Sequence, residues 1–464
     1  MTIQYVSPFA PLADALAGEV ITPAHPEYDT ARRVWNGMID KRPAAIARCA
    51  DADDVALAVR FAVAEGLPLA VRGGGHNVAG TAVVDDGLVI DLSPMRDVRI
   101  DGSGRTVHVH GGATWADVDA VTAPFGLAAP GGVVSETGVA GLALSGGVSH
   151  QRRRDGMTID NLVSAVVVLA DGRRIRASAD EHPDLFWALR GGGGNFGIVT
   201  SFELRLHQLG PEVFALSVAY PIEDAAPVLA GWRDAVADAP DELSTAGFIW
   251  SLPASEELPE QLRGLAYVGV GGMWAGDPAE GERATRPLRE LATPLLDMSG
   301  RLAYLDYQRS LDPFFPSGAR RYWKALYLDG LSDAAVDATV DWSNRRPSND
   351  TLVIIRHVGG AIARVAAEET AFGDRSSEWM LSIDATWSEE ADDESNIGWT
   401  RAFFDDAQRF SRGKTYFNFP GLHEEGDAAV RRSYGANHER LARIKAVYDP
   451  ENRFRLNQNI RPAR

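Results

Sequence analysis

The chain has a single cysteine, Cys49, among 464 residues, which excludes an intrachain disulfide and a cysteine-built metal cluster. Lysine is almost as rare: Lys41, Lys324, Lys414 and Lys445 are the full set, and arginine carries the rest of the positive charge. Positive charge as a whole is short, 46 Lys and Arg against 64 Asp and Glu, for a net −18. That balance argues against nucleic acid or an anionic membrane as partner, since both attract basic patches. No apolar run approaches the roughly 18 residues of a spanning helix. The opening MTIQYVSPFAPLADALAGEV has neither a basic head nor a long apolar core, so no secretory leader is expected and the expected compartment is the cytoplasm. His108 and His110 alternate onto one strand face, but no third ligand follows at a suitable spacing, so no metal site is expected.

What is present reads as a large globular protein. Hydrophobic residues make up 45% and charged residues 24%, enough for two or three domains with filled cores. The most informative stretch is VRGGGHNVAG, Val71 to Gly80. Three glycines let backbone N–H groups approach a phosphate that side chains would block. The apolar segments Leu69–Val71 and Leu88–Leu92 flank it, so the loop joins two strands. It does not open a helix as a Walker or Rossmann loop would. A phosphorylated ligand beside His76 follows, the alternative being a turn histidine that merely holds the loop.

Up to about residue 207 glycine and short β-branched runs dominate. Helical spacing recurs over 54–65, 114–125 and 183–190, and strands are expected over 107–110, 162–170 and 198–206. The composition shifts near Gly210-Pro211. Beyond it, helices over 225–237, 278–292 and 332–343 alternate with strands over 265–274, 322–328, 351–358 and 379–387. This pattern predicts an α+β fold with an antiparallel or mixed sheet covered on one face by helices. A last helix is expected over 430–447, ended by Asp449-Pro450.

Seven blocks in order resemble one family: RGGGHNVAG, PGGVVSETGVAGLALSGG, DGMTIDNLVSAVVVLADG, DLFWALRGGGGNFGIVTSFEL, HVGGAIARV, TYFNFPG and YDPENRFRLNQNI. They are similar to the berberine-bridge-enzyme-like FAD-linked oxidases of the vanillyl-alcohol-oxidase superfamily, particularly the bacterial members. The resemblance implies a two-domain fold of that superfamily's type. An FAD-binding domain comprises residues 1–207 and a C-terminal return at 411–464, with a substrate-binding domain inserted at 208–410.

For the site, the resemblance implies FAD bonded covalently through its 8α-methyl to His76. A neutral imidazole near pH 7 is nucleophilic and suits that role. Where many relatives add a cysteine bond to the flavin, this chain has Val134, so a single link is expected. The backbone of Arg72, Gly73, Gly74 and Gly75, with Asn77 and Gly80, is expected to cradle the diphosphate. Gly132, Gly138, Gly141, Gly146 and Gly147 are expected along the adenosine and ring edge, and Asp160, Asn161, Gly197, Ile198, Val199 and Asn457 further along the cofactor. Thr137 falls where relatives carry a small residue that gates O2.

The expected catalytic set is Tyr416 and Asn418, with Lys324 and, two residues away on the same strand face, Tyr322. Phe419 replaces a tyrosine of many relatives, which excludes a tyrosinate base there. His357, Trp387 and Trp274 are further pocket candidates. The basic run His150 to Asp155 reads as a solvated loop or a subunit contact, with steering of an anionic substrate as the alternative.

The implied activity is hydride transfer from an alcohol, amine or biosynthetic intermediate to flavin N5, with reoxidation by O2 to H2O2. A dehydrogenase or oxygenase with another acceptor, or a flavin binder without turnover, are the alternatives. Expected partners are a small-molecule substrate and O2, with the protein a monomer or homodimer.

Overall fold

The structure, a computed structural model, describes residues 7–373, 375–422 and 426–464. The first six residues of the stretch read for a leader therefore lie outside the described residues. Two sheets come from the N-terminal part. The smaller runs Glu19–Ile21, Ala45–Arg48, Leu88–Asp91, Leu69–Arg72, with the last three strands mutually parallel. Parallel pairing forces the chain between Leu69–Arg72 and Leu88–Asp91 to cross back over the sheet. The glycine loop lies in that crossover. Helix Ala52–Ala64 covers the sheet, its start capped by the Asp51 carboxylate, which accepts from the Asp53 and Asp54 amides.

The second sheet is antiparallel, in the order Val98–Ile100, Thr106–His110, Ile198–Arg205, Leu162–Val168, Arg174–Ser178. Between its strands the chain makes helix Trp115–Thr122, opened by a capping box in which Asp117 accepts from the Thr114 amide at 2.8 Å. Trp115, fully buried, packs this helix into the core with Val107, Phe202 and Phe196.

The third sheet has nine antiparallel strands, including Glu212–Pro221, Leu243–Ser251, Ala266–Trp274, Arg320–Leu328, Leu352–His357 and Trp379–Trp387. Period-two alternation divides its faces. Leu243, Ile249, Val353, Ile355, Leu381, Ile383 and Trp387 face helices Ala225–Ala235, Asp333–Ser343 and Asp393–Ala407 in one core. Ser244, Ala246, Phe248, Leu352, Ile354, Arg356, Met380 and Asp384, at the intervening positions, face a cavity against the N-terminal part. The α+β layer expected from the sequence is the observed one.

Two expectations differ. The sheet does not stop at residue 410: its edge strand is Thr415–Pro420, paired with Arg320–Leu328. The C-terminal helix is two helices, Gly426–Tyr434 and Asn437–Tyr448, because Gly435 takes φ +53° and turns the chain between them.

Candidate active site

A cavity of about 470 Å³ opens between the two N-terminal sheets and the free face of the large one. Glycine backbone builds its N-terminal wall. A Cβ on Gly74 would lie 2.5 Å from the Gly138 amide nitrogen, and one on Gly138 would lie 2.3 Å from the Gly74 nitrogen. The two glycine loops therefore touch backbone to backbone, leaving Gly73–Gly75, Gly132, Thr137, Gly138 and Gly141 along the wall. Gly193 to Asn195, Gly197, Ile198 and Val199 line the adjoining wall with Asn457. The fully buried Lys445 pins that corner, donating to the Asn195 and Phe454 carbonyls and to Asp449.

His76 projects into the cavity and stacks on Trp35, ring centroids 4.0 Å apart. The Arg321 guanidinium lies over the same Trp35, 3.7 Å from its ring centroid. Burial first, and the Arg321 charge second, push the His76 imidazole down to about 3, so it is neutral near pH 7. Its Nε2 is shut off from solvent and has no hydrogen-bond partner among the described residues. Asn77 Oδ1 and Asn457 Oδ1 are in the same state. Buried polar atoms ordinarily have partners. A wall of glycine backbone, two of whose loops touch too closely for a Cβ at Gly74 or Gly138, with three buried polar atoms lacking partners beside it, fits a long phosphate-bearing cofactor with a ring end at His76. Val134 stands in the wall beside Val78, Trp35 and Trp323.

The opposite wall carries side chains. Tyr416 is buried, and its hydroxyl accepts from the Gly147 amide at 3.0 Å and from Asn418 Nδ2 at 2.8 Å. Burial raises its phenol. Asp384 accepts from Ser382 and lies 3.8 Å from Arg356 Nη2. Burial pushes its carboxyl up to about 6, against the opposing pull of Arg356 and Ser382. His150, Arg152 and Tyr307 complete this end.

Several expected site residues stand elsewhere. Lys324 and Tyr322 do share one strand face, but it is the helix-covered face. Lys324 Nζ sits 4.4 Å from the Phe404 ring centroid, and the Tyr322 hydroxyl accepts from Arg401. The strand's cavity residue is Trp323. Trp387 donates to Asp393 in the same helix-side core, Trp274 packs against Gly281, and His357 stacks on Trp379. The side chain of Arg72 turns away to Asp91, 2.6 Å, and anchors its strand. Gly80 packs on Ile39 and gives its carbonyl to Lys41. Gly146 and Gly147 lie behind the wall against Tyr416 and Thr158. Asp160 pairs with Arg375 at 2.7 Å, and Asn161 with His207 at 2.6 Å. The run from His150 is not a solvated loop: Arg152 is 5% exposed and Arg153 6%.

Sequence reasoning missed Arg356 and Asp384 as site residues. Their signal was a lone charge inside an apolar strand, LVIIRH and WMLSIDATW, where burial on both faces leaves a charge no route to water. Trp35 had no signal, since its partner His76 is 41 residues away. Among the described residues no group of three or more His, Cys, Asp or Glu could hold a metal, and no helix is long and apolar enough to cross a membrane.

A backbone cradle facing a buried, side-chain-lined pocket defines a site for a phosphate-bearing cofactor set beside a substrate. The FAD binding domain family matches residues 43–178, and the family described as berberine and berberine like matches 415–461. The chain is 32% identical over 467 residues to (R)-6-hydroxynicotine oxidase of Paenarthrobacter nicotinovorans, covering 97% of each chain. The crystal structure of 6-hydroxy-D-nicotine oxidase from Arthrobacter nicotinovorans superposes with a TM-score of 0.86 at 31% identity, over 98% of this chain and 99% of that one. Glucooligosaccharide oxidase from Acremonium strictum, with a 6-S-cysteinyl, 8α-N1-histidyl FAD, gives 0.86 at 25% identity, over 99% and 100%. The chain belongs to the berberine-bridge-enzyme-like FAD-linked oxidoreductases of the vanillyl-alcohol-oxidase superfamily.

Proposed function

We propose that this oxidoreductase carries FAD on a single covalent bond from His76 and oxidises a small alcohol, amine or biosynthetic intermediate, using O2 as electron acceptor. His76 supports the reading most directly: a neutral imidazole with a sealed, partnerless Nε2 at the ring end of the cradle. Val134 offers no second nucleophile. FAD held there by His76 and the glycine backbone would supply the two-electron acceptor for the substrate's hydride and the route by which the electron pair, with two protons, reaches O2 to give H2O2.

The remaining chemistry falls to the chain. Asp384 takes the hydroxyl or amine proton as the hydride leaves, since its raised carboxyl is matched to proton transfer near neutral pH. Tyr416, held by Gly147 and Asn418, orients the reacting group. The glycine backbone of Gly73–Gly75 and Gly138 holds the diphosphate, and Gly197–Val199 with Asn457 flank the cofactor. Thr137, a small residue in the wall, leaves O2 a way in. On this reading residues 1–207 and 411–464 bind the cofactor and 208–410 the substrate, and strand Thr415–Pro420, which pairs with the large sheet, serves both.

Acid precipitation tests the tether. A yellow pellet is expected from the wild type and a colourless one from His76→Ala, and a colourless wild-type pellet overturns the covalent reading. Stopped-flow mixing of reduced enzyme with air tests the acceptor, where reoxidation taking minutes overturns the oxidase assignment.

A further inference from the structure

The pocket end of the cavity holds more positive than negative charge. Arg152 is buried, and its guanidinium is held only by neutral carbonyls: Nε by His357 at 2.9 Å, Nη1 by Ser149 at 3.2 Å, Nη2 by Thr245. No carboxylate pairs with it among the described residues. Arg356 lies close enough to repel it and has one carboxylate nearby, Asp384, at 3.8 Å. That is beyond hydrogen-bond range. Arg356 Nη1 is sealed from solvent with no partner among the described residues. His150, neutral because burial and Arg152 push it down to about 3, also keeps a sealed, partnerless Nε2. The two guanidinium groups thus have one carboxylate between them, and it stands beside Arg356 alone. Buried charge without a counter-charge is costly, and a bound anion removes that cost.

The rest of the pocket is aromatic and begins at the arginine. Arg356 lies 5.7 Å from the Phe419 centroid, and Phe419 meets Trp323 edge-on at 5.3 Å. Phe315 lies 5.9 Å from Trp323, and Trp250 lies 6.1 Å from Phe315, nearly parallel to it. Flat rings of this kind bind flat rings, by stacking and edge contacts.

Resting on the oxidoreductase reading above, we infer that the substrate is a planar ring system bearing an oxyanion, a carboxylate or an acidic ring hydroxyl. Arg356, with Arg152 behind it, receives the charged oxygen, and Phe419, Trp323, Phe315 and Trp250 receive the ring. A protonated amine meets like charge at this end, and a neutral sugar leaves the arginines without a counter-charge. Arg356 is the specificity-determining residue because its side chain lines the cavity with no hydrogen-bonded counter-charge, whereas Arg152 is fully engaged in tying three backbone carbonyls.

The test titrates the holoenzyme with 2-naphthoate, 2-naphthamide, 2-naphthylmethylamine and acetate, reading the flavin difference spectrum. Naphthoate is expected to bind at least tenfold more tightly than the amide, the amine and acetate. Arg356→Gln should weaken naphthoate at least tenfold and leave the amide unchanged, and Arg356→Lys should recover part of the loss. Equal affinity for acid and amide, tighter binding of the amine, or an equal loss for both ligands in Arg356→Gln overturns the proposal. A titration of 2-naphthol across its ionisation separates the two oxyanion sources: affinity that climbs as the naphthol ionises extends the class to acidic hydroxyls, and affinity that stays flat restricts it to carboxylates. The flavin content of the acid pellet from the same preparation reports separately on the tether.

Discussion

One wall of the cavity is made of backbone and the other of side chains. Residues 73–75, 132, 138 and 141 present glycine to the cavity, and what they offer is N–H groups and space. The large sheet instead presents every second side chain of its strands, among them Ser244, Phe248, Ile354, Arg356 and Asp384. The first wall fails by crowding and the second by lost chemistry, so the two should respond differently to substitution. On the proposed reading, a cradle mutation should remove the cofactor altogether. A sheet-face mutation should leave the cofactor in place and alter what is done with it.

The largest effect is expected where the two glycine loops meet. Gly138→Ala places a methyl 2.3 Å from the Gly74 nitrogen, and the obstacle is backbone, which cannot rotate aside. We expect near-complete loss of flavin absorbance in the purified protein. A Gly138→Ala protein with full flavin content would break the comparison, because the cradle would then not depend on missing side chains. Asp384→Asn comes next. It should keep its flavin yet lose about 10²- to 10⁴-fold in the rate of flavin reduction. The wild-type kcat/KM should rise with pH up to about 6, as the carboxylate forms, and level off above. The variant should lack that limb. Because the Arg356 charge holds the Asp384 carboxyl down, Arg356→Gln should move the limb to higher pH. An unshifted limb would separate the two residues and break the coupled picture of this wall.

The same contrast explains what could be read from sequence. A backbone cradle needs glycine at fixed spacing within one loop, so RGGGHN and ETGVAG are legible as strings, and His76 with them. The strands and covering helices of 225–343 were legible as well, since periodicity survives without knowledge of partners. A pocket made by alternate residues of four strands leaves no contiguous string. Period two places Lys324 with Tyr322 but does not say which face of the strand meets the cavity. Here Trp323 does, because Tyr322 and Leu326 are needed against the helices. Arg356 and Asp384 come together from neighbouring strands only once the sheet has formed. The basic run at His150 was visible but ambiguous, and its burial came from docking against Thr245 and His357 of the other half.

The smallest expected effect belongs to Lys324, and it sharpens the comparison from the side-chain wall's reverse face. Its ammonium lies 4.4 Å from Phe404 and 6.0 Å from Tyr322, between the sheet and helix Asp393–Ala407. Replacement by methionine keeps the length and apolar stem but removes the charge over the ring, which should cost about 1 kcal/mol of stability. Flavin content, the rate of flavin reduction and the affinity for 2-naphthoate should all stay at wild-type values, because a side chain at this position points out of the cavity. A Lys324→Met enzyme whose denaturation midpoint is unchanged but whose flavin reduction slows would mean that the helix-covered face reaches the chemistry, and the division between the two faces of this sheet would fail.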